Sequence, residues 1–461
     1  MTGRSATHGL LIRDAEVEGR LVDIAVEDGL ITSVSDAVAR APRSPVDGLD
    51  ESDEFDAGGG SVIPGLHDHH IHLLALAAAR QSIAFSPSIE KDLAAAHSDK
   101  PIHEWLRVTG YHESIVGEID CAWLDERMPD RPVRVQHRTG AMWVLNSAAM
   151  RVSGIESIDG MLFGADDLIR ERVPRTTVDL SAVGRELAAY GITGVTDLTP
   201  TEDAEELGFL SASVLREDFP IGVMVTGGPG LEPDAAPGLA RGPVKIVVGD
   251  HDLPHLEDLA AAFRTARRLS RNVAVHCVTR IGLILALAAW EEVGPLPGDR
   301  IEHGAVIPLE LIGTIGEFGL TVVTQPSFTY ERGDQYLADV DSDDVQHLWR
   351  CGSLIDAGIA VGGSTDAPFG DPDPWRAIVA ATERRTSSGS RIGRDERIDP
   401  GRALGMFMTS PHAPGGRRRR VAVGEPGELC ILHLPLDEAL RDPSSAAVRA
   451  TYARRHLHLS E

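Results

Sequence analysis

The chain has 461 residues, of which 42% are apolar, and its formal net charge is −26. No segment approaches the roughly 20 uninterrupted apolar residues that span a bilayer. The opening residues MTGRSATHGL lack the basic-then-apolar order of a signal peptide. A surface this acidic repels phosphate backbones, which argues against nucleic acid as a partner. We therefore expect a cytoplasmic protein with neither a membrane nor a nucleic acid among its partners, while the charge says nothing further about a small-molecule substrate.

The two ends of the chain have the pattern of short β-strands. Apolar and polar residues alternate in LLIRDAEV, LVDIAVEDG and LITSVSD, and Asp28-Gly29 marks a tight hairpin between the last two. Near the other end, RRVAVGE and ELCILHL again resemble strands. We predict one small β-sandwich domain formed from both termini, residues 1–60 plus 411–461.

The middle of the chain alternates short apolar runs with helix-like stretches. The runs are SVIPGL (61–66), GVTDLT (194–199), IGVMVT (221–226), VKIVV (244–248), NVAVHC (272–277), RIEHG (300–304), LTVVTQ (320–325) and IAVGGSTD (359–366). Strands that alternate with helices form parallel βαβ units, and eight of them favour a closed (β/α)₈ TIM barrel. We predict this barrel over residues 61–410, with an open doubly wound sheet as the alternative.

One interval between runs is too long for a single crossover helix. It has strand-like pieces, EWLRVTGY and RPVRVQH, and a helix-like piece around NSAAMRVSGI. We predict that residues 75–185 are a large insertion after barrel strand one. Because the reactive face of such barrels lies at the carboxyl ends of the strands, the insertion is a candidate lid or substrate wall.

Two kinds of potential metal ligand stand out in the first half of the barrel. His70 and His72 are two residues apart, so in a strand they point to the same side. Lys245 is one of only three lysines and sits inside an apolar run, where a charge costs several kcal/mol unless it is paired. A lysine carboxylated by CO₂ can bridge two metal ions, which an arginine cannot do. A lysine paired with a buried acid is the alternative.

Three further candidates stand at the ends of later predicted strands. His276 ends NVAVHC, His303 closes RIEHG, and Asp366 ends IAVGGSTD. A structural core histidine is the alternative for the first two, and a helix cap is the alternative for Asp366. In a closed barrel the last strand returns beside the first, which would bring Asp366 next to His70.

Together these residues supply what two divalent ions need, and their nitrogen and carboxylate ligands suit Zn²⁺. Two such ions can hold a hydroxide and polarise a substrate carbonyl. A carboxylate at Asp366 can take the hydroxide's proton and pass it to a leaving nitrogen. The predicted ligand set is His70, His72, Lys245, His276, His303 and Asp366.

In this order on strands one, four, five, six and eight, the set resembles the amidohydrolase superfamily. The segments FDAGGGSVIPGLHDHHIH, VKIVVGD, GDRIEHGAVIP, GSTDAPFG and LNSAAMRVSGI are similar to the YtcJ-like branch of its amidohydrolase 3 family. The family's order of Pro-Gly-apolar, three residues and His-x-His selects His70 and His72 over His67 and His69. The resemblance implies a metal-dependent amidase acting on C–N bonds other than peptide bonds, with Asp366 as acid–base residue and Lys245 carboxylated.

Two other functions stay open at this point. A single-metal deaminase of a heterocycle would need a glutamate three residues after the strand-five histidine, where this chain has Thr279. A non-catalytic barrel scaffold is the other alternative, and its usual sign is the loss of metal ligands.

Substrate contacts are predicted on weaker grounds, from closeness to strand ends or to the insertion. Each of these side chains also has an alternative interpretation as a solvated or structural polar group, and a homodimer is left open as the assembly. The candidates are Arg280, Gln325, His137 and His112.

Overall fold

The computed structural model describes residues 9–37, 54–99, 103–140, 142–174, 178–200, 204–216, 219–231, 236–249 and 253–460. These residues form a mixed α/β fold, and the chain divides into two compact units. The main unit contains Met1–His72 and Ser181–Glu461, and the insertion unit contains Leu73–Leu180. Among the helices of the described ranges, none has the length and apolar character needed to cross a membrane.

The strands of the described residues are numbered in chain order. They are β1 (Gly9–Val17), β2 (Arg20–Glu27), β3 (Leu30–Asp36), β4 (Glu54–Asp56), β5 (Val62–Pro64), β6 (Leu66–Ile71), β7 (Ile83–Ala84), β8 (Leu106–Tyr111), β9 (Val133–His137), β10 (Met142–Leu145), β11 (Met161–Phe163), β12 (Ile192–Asp197), β13 (Gly222–Val225), β14 (Leu239–Arg241), β15 (Val244–Val247), β16 (Val273–Cys277), β17 (Arg300–His303), β18 (Thr321–Thr324), β19 (Val361–Gly363), β20 (Thr409–Ser410), β21 (Ala413–Arg418), β22 (Leu429–Leu432), β23 (Val448–Ala453) and β24 (His456–Leu459).

The helices are numbered in the same way, and short 3₁₀ turns occur at Arg394–Glu396 and Ser445–Ala447. The α-helices are α1 (Leu73–Arg80), α2 (Ile89–Asp99), α3 (Glu113–Val116), α4 (Cys121–Arg127), α5 (Ser147–Ser153), α6 (Asp166–Arg172), α7 (Leu180–Ala189), α8 (Ala204–Val214), α9 (Leu256–Arg268), α10 (Arg280–Val293), α11 (Leu309–Glu317), α12 (Phe328–Glu331), α13 (Gly333–Asp339), α14 (Ser342–Val345), α15 (Gly352–Asp356), α16 (Pro374–Glu383), α17 (Pro400–Gly405) and α18 (Leu436–Ala439).

Strands from the two ends of the chain form two four-stranded sheets, ordered β3-β2-β1-β4 and β24-β23-β22-β5. The predicted hairpin is confirmed, because Asp28 and Gly29 join β2 to β3 with φ angles of 51° and 81°. Apolar side chains of both sheets share one buried cluster, which includes Ile12, Ile24 and Ile431. Alternation along the strands therefore marks their buried faces correctly.

The middle of the main unit contains two parallel sheets. Their strand orders are β14-β13-β12-β6 and β15-β16-β17-β18-β19. Strand β12 overlaps the predicted run GVTDLT but begins before it, and each later run contains one of these strands. Strand β14 was not predicted. Two of the helix-like stretches between these runs, LEDLAAAFRTARRLS and IGLILALAAWEEVG, form α9 and α10.

The first predicted strand is wrong in position. Residues 61–66 do not form one parallel strand, because β5 pairs antiparallel with β22 and the parallel strand is β6. Strand β6 has the sequence LHDHHI and is buried throughout. Several of its polar side chains form hydrogen bonds, such as those of His67 with Thr196 and His69 with Thr409, both 2.9 Å long. Hydrophobicity therefore cannot mark this strand, although it is part of the core.

The insertion unit is built around a sheet of its own, ordered β11-β10-β9-β8-β7. Strands β7, β8 and β9 run parallel, and β10 and β11 complete the sheet in antiparallel fashion. The predicted helix is α5, where the side chain of Asn146 accepts the N–H of Ala149 and Gly154 ends the helix with φ 68°. The strand-like pieces predicted from the sequence are β8 and β9.

Candidate metal centre

Histidines and one aspartate gather at the carboxyl ends of the parallel strands. His70 lies in β6 and His72 directly follows it. His276 lies in β16, His303 ends β17, and Asp366 follows β19. This is the end of parallel strands at which ligands bind in α/β proteins.

The side chains are close enough to share bound ions. His70 Nε2 and His72 Nε2 lie 3.4 Å and 3.3 Å from Asp366 Oδ1. His303 Nδ1 lies 3.9 Å from Asp366 Oδ2. The ring of His303 lies 4.7 Å from that of His70 and 4.4 Å from that of His276, measured between centroids. The structure therefore brings these five predicted residues together.

Two observations fit a cation at this place. Ligand atoms about 2.0 to 2.2 Å from a tetrahedral zinc ion are about 3.3 to 3.5 Å from each other, whereas hydrogen-bonded atoms are about 2.7 to 3.2 Å apart. The distances from His70 Nε2 and His72 Nε2 to Asp366 Oδ1 match the spacing of two ligands of one zinc ion. His70 Nε2 and Asp366 Oδ1 are also buried without a hydrogen-bond partner among the described residues. Such groups are costly unless something else binds them.

Burial keeps three histidines of the cluster in the neutral form. It lowers the pKa of His70 and of His303 well below the usual value, and it lowers the pKa of His276 to about 3. The positive charge of Lys245 acts in the same direction on all three. A neutral imidazole is the form that binds a metal ion.

Lys245 is the second residue of β15 and is 5% exposed. Burial lowers the pKa of its amine to about 8, while the charges of Glu302 and Asp366 raise it. The neutral amine is therefore far more populated near neutral pH than in an exposed lysine. Lys245 and the histidines act on one another's pKa, so it belongs to the same electrostatic cluster.

The sequence analysis missed Glu302. Its Oε2 lies 2.6 Å from His70 Nδ1, and its Oε1 lies 2.5 Å from Arg300 Nε. All three side chains are almost completely buried. A carboxylate that is hydrogen-bonded to the ring nitrogen not used for the metal fixes the orientation and the tautomer of a metal-binding histidine. The signal was present in RIEHG, where an acid precedes His303 inside a short buried strand.

Gln325 forms a hydrogen bond with His303 of the cluster. Its Oε1 lies 2.9 Å from His303 Nδ1, and its amide donates to Ser364 Oγ over 2.8 Å. The side chain is fully buried. In the structure, the predicted substrate contact Gln325 is thus a hydrogen-bond partner of His303.

Two backbone conformations at the site are unusual for residues with a side chain. His303 has φ 66° and Asp366 has φ 57°. Non-glycine residues adopt this left-handed region at a cost, and such residues cluster at functional sites. The Asp366 N–H donates to His70 O over 2.8 Å, which helps to hold this turn against β6.

The remaining predicted substrate contacts have polar partners of their own. Arg280 donates from Nε to Asp344 over 2.8 Å, and its Nη1 lies 3.5 Å from Glu310. His112 and His137 belong to the insertion unit, where both face Glu113.

Comparison with known proteins gives a consistent match. The model of a family described as "Amidohydrolase family" matches residues 53–454. YtcJ of Bacillus subtilis (strain 168) is 26% identical over 451 residues, which cover 82% of this chain and 84% of that protein. N-substituted formamide deformylase of Arthrobacter pascens is 23% identical over an alignment 478 residues long, which covers 86% of this chain and 86% of that protein.

Solved structures show a similar fold. A metal-dependent hydrolase of Pyrococcus horikoshii OT3 superposes with a TM-score of 0.72 at 19% identity, covering 95% of this chain and 98% of that one. A metal-dependent hydrolase of Pyrococcus furiosus gives 0.71 at 18% identity, covering 95% and 99%. At this level of identity the likeness concerns the fold.

Proposed function

We propose, from the premise that this chain belongs to the amidohydrolase family, that it hydrolyses a C–N amide-type bond of a small molecule outside the peptide backbone. The observation that carries the proposal is the arrangement of His70, His72 and Asp366, whose facing atoms have the spacing of metal ligands. The relative that deformylates N-substituted formamides supports a C–N bond as the target.

The residues that would hold divalent ions are those predicted from the sequence. Imidazole and carboxylate ligands without a thiolate suit Zn²⁺, and we propose two ions. When bound, such ions would polarise a substrate carbonyl and supply a nucleophilic hydroxide near neutral pH. The proposed ligands are His70, His72, His276, His303, Asp366 and a carboxylated Lys245.

Asp366 is proposed as the acid–base residue. Its carboxylate faces two imidazoles and is largely buried, so a proton that it accepts from the attacking water is retained in the site. It then delivers this proton to the leaving nitrogen, which departs as a neutral amine.

Carboxylation of Lys245 is supported by its lowered pKa, because the neutral amine is the form that attacks CO₂. The new N–C bond gives a carbamate, and one proton is released. We expect a ¹³C NMR signal from the chain loaded with ¹³C-bicarbonate and Zn²⁺, and no such signal from Lys245→Arg. A spectrum without a carbamate signal in either protein would contradict the proposal.

We also propose that the two parallel sheets close into the (β/α)₈ barrel and that the terminal sheets form the β-sandwich. Backbone hydrogen bonds between the two parallel sheets support closure: Asp366 N–H donates to His70 O, and Lys245 N–H donates to Gly227 O. The shared apolar cluster of the terminal sheets supports the sandwich. The proposed domain limits, the cytoplasmic location and the homodimer are those predicted from the sequence.

Deamination is less well supported. Thr279 stands where a deaminase would need its glutamate, and its hydroxyl accepts the N–H of Gly282 over 3.2 Å at the start of α10. A structural cap at this position does not supply the carboxylic acid with which a deaminase would protonate its heterocycle.

The function is tested with a panel of N-substituted formamides, N-acyl amines and cyclic amides. We expect the zinc-loaded chain to hydrolyse members of one class, to lose this activity after chelation, and to regain it when Zn²⁺ is added back. Undiminished hydrolysis by a metal-free preparation would contradict the proposal, as would turnover of heterocyclic amines alone.

A further inference from the structure

A second group of potential metal ligands lies in the insertion unit. His137 is the last residue of β9, and His112 directly follows β8, the neighbouring parallel strand. Glu113 is the first residue of α3. The three side chains thus share the carboxyl edge of a short parallel sheet, where α/β folds place their ligands. The pairing of β8 with β9 is irregular between Thr109 and Tyr111, and such irregularities re-aim side chains near functional sites.

Their facing atoms have the spacing of ligands around an ion. Glu113 Oε2 lies 3.4 Å from His112 Nε2 and 3.4 Å from His137 Nε2. One ligand atom from each residue lies within 4.8 Å of the others. Hydrogen-bonded atoms would be about 2.7 to 3.2 Å apart, while ligands of one tetrahedral zinc ion are about 3.3 to 3.5 Å apart. The separations resemble those of the candidate metal centre in the main unit.

The outer nitrogens of both rings are held in the same way. His112 Nδ1 lies 2.8 Å from Ser114 Oγ, and His137 Nδ1 lies 2.8 Å from Thr139 Oγ1. In each pair the hydroxyl belongs to the second residue after the histidine, and its oxygen can accept an Nδ1–H. This tautomer leaves the Nε2 lone pair directed toward Glu113, as a metal-binding histidine requires.

The same rings can adopt another tautomer without metal. The backbone N–H groups of Ser114 and Thr139 donate to the two Nδ1 atoms over 3.2 Å, which places the ring proton on Nε2 when no metal is bound. Both Nε2–H groups would then donate to Glu113. At 3.4 Å these contacts are weak hydrogen bonds, so a metal ion that binds both Nε2 atoms displaces little, once each ring has moved its proton to Nδ1.

We propose that His112, Glu113 and His137 form a second divalent-metal site that takes Zn²⁺ or an ion of similar chemistry. Two imidazoles and one carboxylate are the ligand set of open zinc sites, which leave a position for water or substrate. The exposure of Glu113, 47% of its side chain, is consistent with such an open position. This proposal does not rest on the proposed amide hydrolysis.

The test uses the full chain with its main centre disabled by His70→Asn, His72→Asn, His276→Asn and His303→Asn. After chelation and removal of the chelator, this variant is titrated with Co²⁺ and followed by visible absorption. We expect about one equivalent to bind, and binding to weaken at least tenfold after His112→Asn or His137→Asn. His97→Asn, which changes an exposed histidine of α2, is the matched control and should leave binding unchanged.

The proposal is overturned if the disabled chain binds no Co²⁺, or if His112→Asn and His137→Asn leave its binding unchanged. Should the disabled chain fail to fold, zinc content is compared between the otherwise unaltered chain and its His137→Asn variant. A loss of about one equivalent supports the site, and equal content overturns it. Neither measurement uses amidase activity, so failure here is distinct from failure of the proposed function.

Discussion

At the scale of single residues, the candidate centre combines buried neutral imidazoles with carboxylates that lie against them. His276, His303 and Asp366 were predictable as ligand candidates because each stands at or near the end of an apolar run, and Lys245 because it is a rare lysine inside one. Glu302 and Gln325 were not predicted in their actual positions, since they contact His70 and His303 only through the tertiary fold. Strand pattern identifies residues that end strands, but it does not identify their partners.

Asp366→Asn tests the acid–base role. The amide cannot carry the proton between the nucleophile and the leaving nitrogen, so we expect kcat to fall at least about a hundredfold. Circular dichroism should show an unchanged fold, and zinc analysis should show that at least one ion is retained. Asp371→Asn in the same loop is the control. Turnover within a few-fold of the unaltered chain would exclude Asp366 from proton transfer.

Glu302→Gln tests the support of His70. The amide loses the charge that holds the ring through Nδ1 and leaves Arg300 without its buried partner. We expect zinc affinity to fall by about 10 to 100-fold, as measured by competition with a chromophoric chelator. The exposed Glu310→Gln should leave the affinity unchanged. An unchanged affinity in Glu302→Gln would show that His70 is oriented without it.

At the scale of secondary structure, the pattern of apolar and polar residues explains both the error and the successes of the prediction. Helices α9 and α10 were predictable because their apolar residues recur on one face. Strand β6 was not, because it is buried but rich in histidine. The hydrophobic run SVIPGL therefore marked the right segment of the chain, but the parallel strand begins only at its last residue.

The short helix α15 depends on a distant acid. Glu396 Oε2 accepts the N–H groups of Cys351 and Ser353 over 3.1 and 2.9 Å, and its other oxygen pairs with Arg350. Burial raises the pKa of Glu396, but hydrogen bonds from Ser353 and the charge of Arg350 outweigh it and lower the pKa overall. The carboxylate thus satisfies N–H groups at the start of the helix that have no partner within it.

Glu396→Gln is expected to destabilise the chain by about 2 to 4 kcal/mol at neutral pH, because it leaves the largely buried Arg350 without its counter-charge. Since the folded pKa is lowered, this stabilisation is present above the unfolded pKa of about 4.3 and is lost as the pH falls through the folded value. Urea unfolding at several pH values should show the difference shrinking in acid. Exposed Glu383→Gln is the control. A difference independent of pH would contradict the role of the charge.

At the scale of the whole molecule, the order of candidate ligands along the chain was a better guide than any one of them. Histidine pairs are common by chance, but His70, Lys245 and Asp366 are far apart in sequence and still belong to one electrostatic cluster. The strand of Lys245 and the strand before Asp366 were predictable, whereas β6, which contains His70, was not. The distances between the three residues were not predictable, because they depend on how the two parallel sheets meet.

The most direct test of the account is anomalous X-ray diffraction from crystals of the zinc-loaded chain, recorded on both sides of the zinc absorption edge. We predict strong anomalous peaks within bonding distance of His70 Nε2 and Asp366 Oδ1, and of His276 and His303. Crystals that contain zinc but show no peak at these side chains would contradict the proposed centre and the hydrolysis that rests on it.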